Sequence, residues 1–127
     1  MPVDAIASAA FQAISDASLP PVYWPNVEVP AALEGLHLRA FILPADTESM
    51  GLSSWDVERG IIQVSVYAKQ GEGVIAPFAT AEEVLAVFPR GYSNSQFRVH
   101  TAGSIGPAII DGAWCVVPVS ISYQHVR

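Results

Sequence analysis

The chain has one cysteine, no cluster of basic residues and no long apolar run, and each shortage excludes a class of protein. Cys115 is alone, so no internal disulfide can form and the sequence fits a reducing compartment. Its neighbours Trp114 and Val116 predict a buried, inert thiol. Only 14% of the 127 residues are charged, with 6 Lys+Arg against 12 Asp+Glu and a formal net charge of −6. The cations Arg39, Arg59, Lys69, Arg90, Arg98 and Arg127 fall singly along the sequence. No run resembles a phosphate-binding stripe, so tight nucleic-acid binding is not expected. The longest apolar segments are broken by Pro, Ser, Gln or His well short of the roughly 18 to 20 residues that a membrane helix needs. Met1-Pro2-Val3-Asp4 lacks the basic start of a signal peptide, so synthesis in the cytoplasm is the expectation.

Motifs for chemistry are equally scarce. His37, His100 and His125 each sit inside a strand pattern with no Cys, His or carboxylate at metal-ligand spacing. Ser104 lies in Gly103-Ser104-Ile105-Gly106, which lacks the spacing of a nucleophile elbow. Gly71-Glu72-Gly73 has no following Gly-Lys-Ser/Thr and reads as a turn. Glu82 and Glu83 are adjacent on a helix and therefore do not face one another. No catalytic, cofactor-binding or metal-binding residue is assigned and no cofactor is expected. A small α+β enzyme or ligand-binding domain with an unrecognised site stays open as the competing class. A pocket joining His37 or His100 to buried carboxylates would favour it.

What the chain does have is apolar pattern. Hydrophobic residues make up 51% of it and the mean hydropathy is +0.36, high for a monomer in water. A dense core, surface buried against partners, or both would account for this. Residues Val3 to Ser18 predict a helix, with Ile6, Ala10, Ala13, Ile14 and Ala17 at helical spacing and Leu19-Pro20-Pro21 ending it. Pro20 to Pro30 reads as a stiff, extended, aromatic connector. Alternation predicts strands over Leu36–Leu43, Gly60–Lys69, Ser95–Thr101 and Ala113–His125. A second helix is expected over Ile75–Phe88, with Pro77 in its first turn and Pro89 beyond its end. Ile109-Ile110 before the Asp111-Gly112 turn adds a short hairpin piece. The order α-β-β-α-β-β defines an α+β fold: one domain over residues 1–127, an antiparallel sheet of about four strands, and two helices on one face.

Three features suit contact with other chains. Trp24, Pro25 and Asn26 form an aromatic, proline-stiffened stretch. Ala45–Asp56 reads as a long loop whose Met50, Leu52 and Trp55 are poor choices for solvent, so it is expected to order against a partner. Pro118 cannot donate to a ladder, which predicts an edge position or a bulge.

In their order along the chain these pieces resemble the lambda-like tail-terminator and minor tail proteins of long-tailed bacteriophages. The residues that carry the likeness are Trp24-Pro25-Asn26 with Val29-Pro30, then Ile42-Leu43-Pro44, then Arg59-Gly60-Ile61-Ile62-Gln63-Val64-Ser65-Val66-Tyr67, then Phe88-Pro89, and last the strand from Trp114 to Tyr123. The resemblance implies a structural virion protein with no catalytic residue. It implies a ring, commonly a hexamer, on the finished tail tube, which stops tube polymerisation and offers a surface to the head-completion or neck proteins. Another phage neck or head-completion role is the near alternative. An acidic chain in such a ring would let DNA slide past without gripping it.

Overall fold

The computed structural model describes residues 3–25, 35–44, 48–49, 56–71 and 73–126. The elements run α1 (Val3–Asp16), β1 (Val22–Tyr23), β2 (His37–Pro44), β3 (Glu48–Ser49), β4 (Asp56–Lys69), α2 (Ile75–Val87), β5 (Ser104–Ile105), β6 (Ile109–Asp111) and β7 (Trp114–Val126). The fold is α+β. Its centre is the long ladder between β4 and β7, from Val57 opposite Val126 to Lys69 opposite Trp114. β2 extends the sheet antiparallel to β4, from His37 opposite Tyr67 to Pro44 opposite Gly60.

Both helices lie on one face, for the reason their spacing suggests. In α1, Ile6, Ala10 and Ile14 recur every four residues, and all three are fully buried. In α2, Pro77, Thr80, Ala81 and Val84 point inward, and Phe88 just past the helix is buried completely. The sheet meets them with Leu38 and Ala40 of β2, Ile62, Val64 and Val66 of β4, and Val117, Val119, Ile121 and Tyr123 of β7. Alternation sends every second side chain to this side, so one dry aliphatic layer forms between helices and sheet.

Gly60 shows how tightly the layer is fitted. It stands opposite Tyr123, and a Cβ there would overlap the ring and hydroxyl of that buried tyrosine. The glycine in the Arg59-Gly60-Ile61 motif is therefore a space requirement set by the neighbouring strand.

Four expectations are corrected. Among the described residues the sheet has seven strands rather than about four, because β1, β3, β5 and β6 add pieces of two or three residues, and β1 runs parallel to β2. Ser95–Thr101 is not a strand: Asn94 Oδ1 accepts the amide hydrogens of Gln96 and Phe97 at 2.8 and 3.0 Å, which turns the chain locally. Phe97 and Val99 still enter the core, but only Arg98 reaches the sheet, as an isolated bridge to Gln124. Within the expected loop Ala45–Asp56, Glu48 and Ser49 pair with Val57 and Asp56, so the β2–β4 connection continues the hairpin at those positions. Pro118, finally, is not on an edge. β7 lies between β4 and the short strands β5 and β6. The Pro118 carbonyl accepts from Gly106 N–H at 2.8 Å, so its missing donor points to that flank. There the ladder is interrupted between β5 and β6, and the absent N–H costs no paired bond.

Candidate functional site

The face of the sheet turned away from the helices differs sharply in chemistry. One half is aromatic. His37 is only 1% exposed; its ring stacks on Tyr67 at 5.0 Å and meets the Trp114 and Tyr23 rings edge-on at 4.9 and 5.7 Å. The Arg39 guanidinium lies 4.3 Å over the Tyr67 ring. His37 Nδ1–H donates to the Gly35 carbonyl at 3.0 Å, while its Nε2 and the Arg39 Nε find no partner among the described residues. Burial lowers the His37 pKa; the Gly35 hydrogen bond opposes that shift and the Arg39 charge adds to it. Neutral His37 is thus a structural aromatic, with no described carboxylate beside it to make a catalytic pair.

The other half is polar and apolar in patches. Arg98 and Gln124 exchange two backbone hydrogen bonds of 2.9 Å, and Arg59 sits opposite Gln124 on the far side. A cleft of about 480 Å³ lies here, lined by Arg59, Gly60, Ile61, His100, Thr101, Ser122, Tyr123 and Gln124. Among the described residues no acidic side chain lines it, so none of them supplies His100 with the carboxylate that general-base chemistry would need to orient it. The fold thus draws Arg59, Arg98 and His100 toward one strand end although they are far apart in sequence. Only the β7 ladder could reveal that.

Large apolar residues are exposed beside this cleft and on the sheet rim: Phe41 at 36%, Leu43 at 46%, Ile61 at 37%, Ile109 at 53% and Ile110 at 57%. Leu43 and Ile61 are cross-strand partners, so with Phe41 they form one contiguous patch. The exposed Asp4, Asp16, Glu82 and Glu83 lie on the helix layer, whereas Arg39, Arg59, Lys69 and Arg98 share the open face of the sheet with the exposed Asp111 at its β6 edge.

Of the contact residues expected from sequence, Trp24 is half-buried, with its ring 4.9 Å from Phe11 of α1. Pro25 follows it, partly exposed. Pro118 is half-buried on the open face, opposite Ser65. Asn26, Met50, Leu52 and Trp55 lie outside the described residues. Cys115 is buried and unpaired, as its apolar neighbours suggest. Sequence reading missed Phe41, Leu43, Ile61, Ile109 and Ile110 as surface residues. The available signal was the doubly apolar character of Phe41-Ile42-Leu43, since a strand with one solvated face alternates.

No group of three or more His, Cys, Asp or Glu among the described residues could hold a metal. No helix among them is long and apolar enough to cross a membrane. The helices seal one face of the sheet, and among the described residues the other face is open and partly apolar. The sequence profile of phage tail terminator proteins matches residues 3–123. The chain belongs to the phage tail terminator family, and its role is structural, in the virion tail among other tail proteins. A solved structure is similar over 96% of this chain and 94% of its own, at 30% identity and a TM-score of 0.70. No curated protein matches the chain.

Proposed function

We propose that the chain is a tail terminator in the full sense: copies close into a ring, most simply of six, on the finished tail tube. The ring stops tube polymerisation and presents its other side to the head-completion or neck proteins. The chain acts as a single domain, without catalytic activity or cofactor. The observation that carries this reading is the family match over residues 3–123 together with an open sheet face rimmed by exposed apolar side chains. Such residues are costly in water and gain when covered, at about 25 cal/mol per Å² of apolar surface. Trp24, Pro25 and Asn26, the segment carrying Met50, Leu52 and Trp55, and Pro118 are the further contact residues of this proposal.

Self-association in free solution is weak in this reading, and the tube supplies the template. The test combines light scattering of the free chain with negative-stain imaging after addition to purified tail tubes. Rings at the tube ends and a halt to tube growth are expected. A chain that stays off the tubes and leaves their length unregulated overturns the proposal.

A further inference from the structure

Among the described residues two strands of the same sheet have open edges, and they are complementary. On one side, β2 is flanked by β1 only at Leu38 and Arg39; beyond them no described strand pairs with its outer edge. Leu38 N–H donates outward to the Pro21 carbonyl, so Ala40 and Ile42, two and four residues on, also turn their backbone groups outward. On the opposite side of the sheet, β6 pairs with β7 alone among the described strands. Asp111 and Trp114 close a two-residue hairpin turn as its hydrogen-bonded pair, so Ile110 between β7-facing neighbours turns its N–H and C=O to the outside. All three β6 residues are exposed.

We propose that neighbouring copies join by strand addition, the β6 edge of one copy pairing with the β2 edge of the next. This rests on the ring reading and specifies its contact. The direction of the strands favours it. β2, β4, β7 and β6 alternate strictly, each antiparallel to the next. The two open edges therefore run in opposite senses. Copies related by rotation about a ring axis keep those senses, so β6 meets the next β2 antiparallel and the alternation continues around the ring. Such a contact is heterologous and closes when the rotation divides a full turn.

The side chains agree. Pairing Ile110 with Ile42 sets Ile109 opposite Leu43 on the open face, so two exposed apolar residues cover one another. Pro44 and Pro107 bracket the available edges and keep the contact to a few residues. A contact that short is weak for one pair of copies and becomes effective when a template or ring closure holds many together.

The test is a cross-link in a Cys115→Ser background. Leu43→Cys and Ile109→Cys would form a non-hydrogen-bonded cross-strand pair, whose Cα atoms approach to about 4.5 Å, within disulfide range. On tail tubes under mild oxidation, the double variant should give a ladder rising by one chain at a time. It should hold about tenfold or more cross-linked chain than either single variant. Rings without a ladder overturn the edge pairing and leave the ring reading intact. No ring from the wild-type chain overturns both. Cross-linked dimers from Leu43→Cys alone would replace it with a two-fold β2–β2 contact. As a second measure, Ile110→Lys, at an exposed position, should keep the thermal midpoint and lose ring occupancy on tubes about tenfold or more; unchanged occupancy overturns the proposal.

Discussion

The same strands build two faces of the sheet that obey different rules. Toward the helices, Leu38, Ala40, Ile62, Val64, Val66, Val117, Val119 and Ile121 are wholly buried and aliphatic. Away from them, the intervening positions carry Arg39, Phe41, Ile61, Gln63, Ser120, Ser122 and Gln124, half-covered or exposed, while the polar His37 and Ser65 on this face are buried. The covered face has one set of neighbours, supplied by α1 and α2. The open face is only partly covered by the described residues, and on the ring proposal its residues answer to water and to other copies. On that proposal, stability and assembly fall on alternate residues of one strand.

That separation can be broken by paired substitutions. The largest effect belongs to Phe88→Ala, which empties a fully buried position and should lower unfolding stability by about 3–5 kcal/mol in a urea titration. Phe41→Ala, on the open face, should cost about 1 kcal/mol or less and impair assembly on tail tubes instead. Equal losses of stability would remove the distinction. Next comes Gly60→Ala, whose Cβ must displace the Tyr123 ring; overpacking of this kind costs about 1–3 kcal/mol. Trimming the opposing ring in Gly60→Ala/Tyr123→Leu should make the two effects non-additive, measured as a double-mutant cycle.

A smaller, pH-dependent effect sharpens the picture of the aromatic patch. His37 has a folded pKa below its ordinary value of 6.5, because burial disfavours the imidazolium and Arg39 repels it. The unfolded chain then binds the proton more readily than the folded one. Above about pH 6.5 both forms are neutral and no penalty exists. As pH falls through 6.5 the unfolded state is favoured progressively, until the folded pKa is passed and the penalty levels off. Thermal midpoints between pH 7.5 and 5 should therefore decline, and His37→Phe should flatten that slope. An unchanged slope in the variant would assign the decline to other groups. The smallest expected signal is DNA binding. Arg59 and His100 line one cleft and Arg98 bridges to Gln124 beside it, yet so few basic residues release too few counterions to hold a duplex at about 0.15 M salt. Anisotropy should show no saturable binding at micromolar protein, and a micromolar affinity would make the open face a DNA-gripping surface.

Much of the architecture was legible in the pattern of residues. Helical spacing in Ile6, Ala10 and Ile14 located α1 and its buried stripe, and Pro77 and Pro89 bracketed α2, because both signals are local and arise within one or two turns. Alternation located β2, β4 and β7, which are long enough for the period to repeat. The short strands were not legible as such: two or three residues carry no period, and β1, β3, β5 and β6 exist because a longer strand offers them a ladder. The 95–101 segment misled for the opposite reason. Its alternation buries Phe97 and Val99 correctly, but the Asn94 side chain takes the amide hydrogens that a strand would have used.

The candidate surface divides the same way. Composition alone excluded a disulfide framework, and the ordered motifs alone pointed to the tail terminator family, since both are properties of the linear chain. Why Gly60 has no room for a side chain, why Pro118 is tolerated in an interior strand, and which apolar residues face outward were decided only by tertiary structure. Gly60 depends on Tyr123, Pro118 on the gap between β5 and β6, and Leu43 on Ile61, each a partner brought alongside from a distant part of the chain. Such pairings are set by the register of long-range ladders, and a register is a relation between strands that no single strand contains.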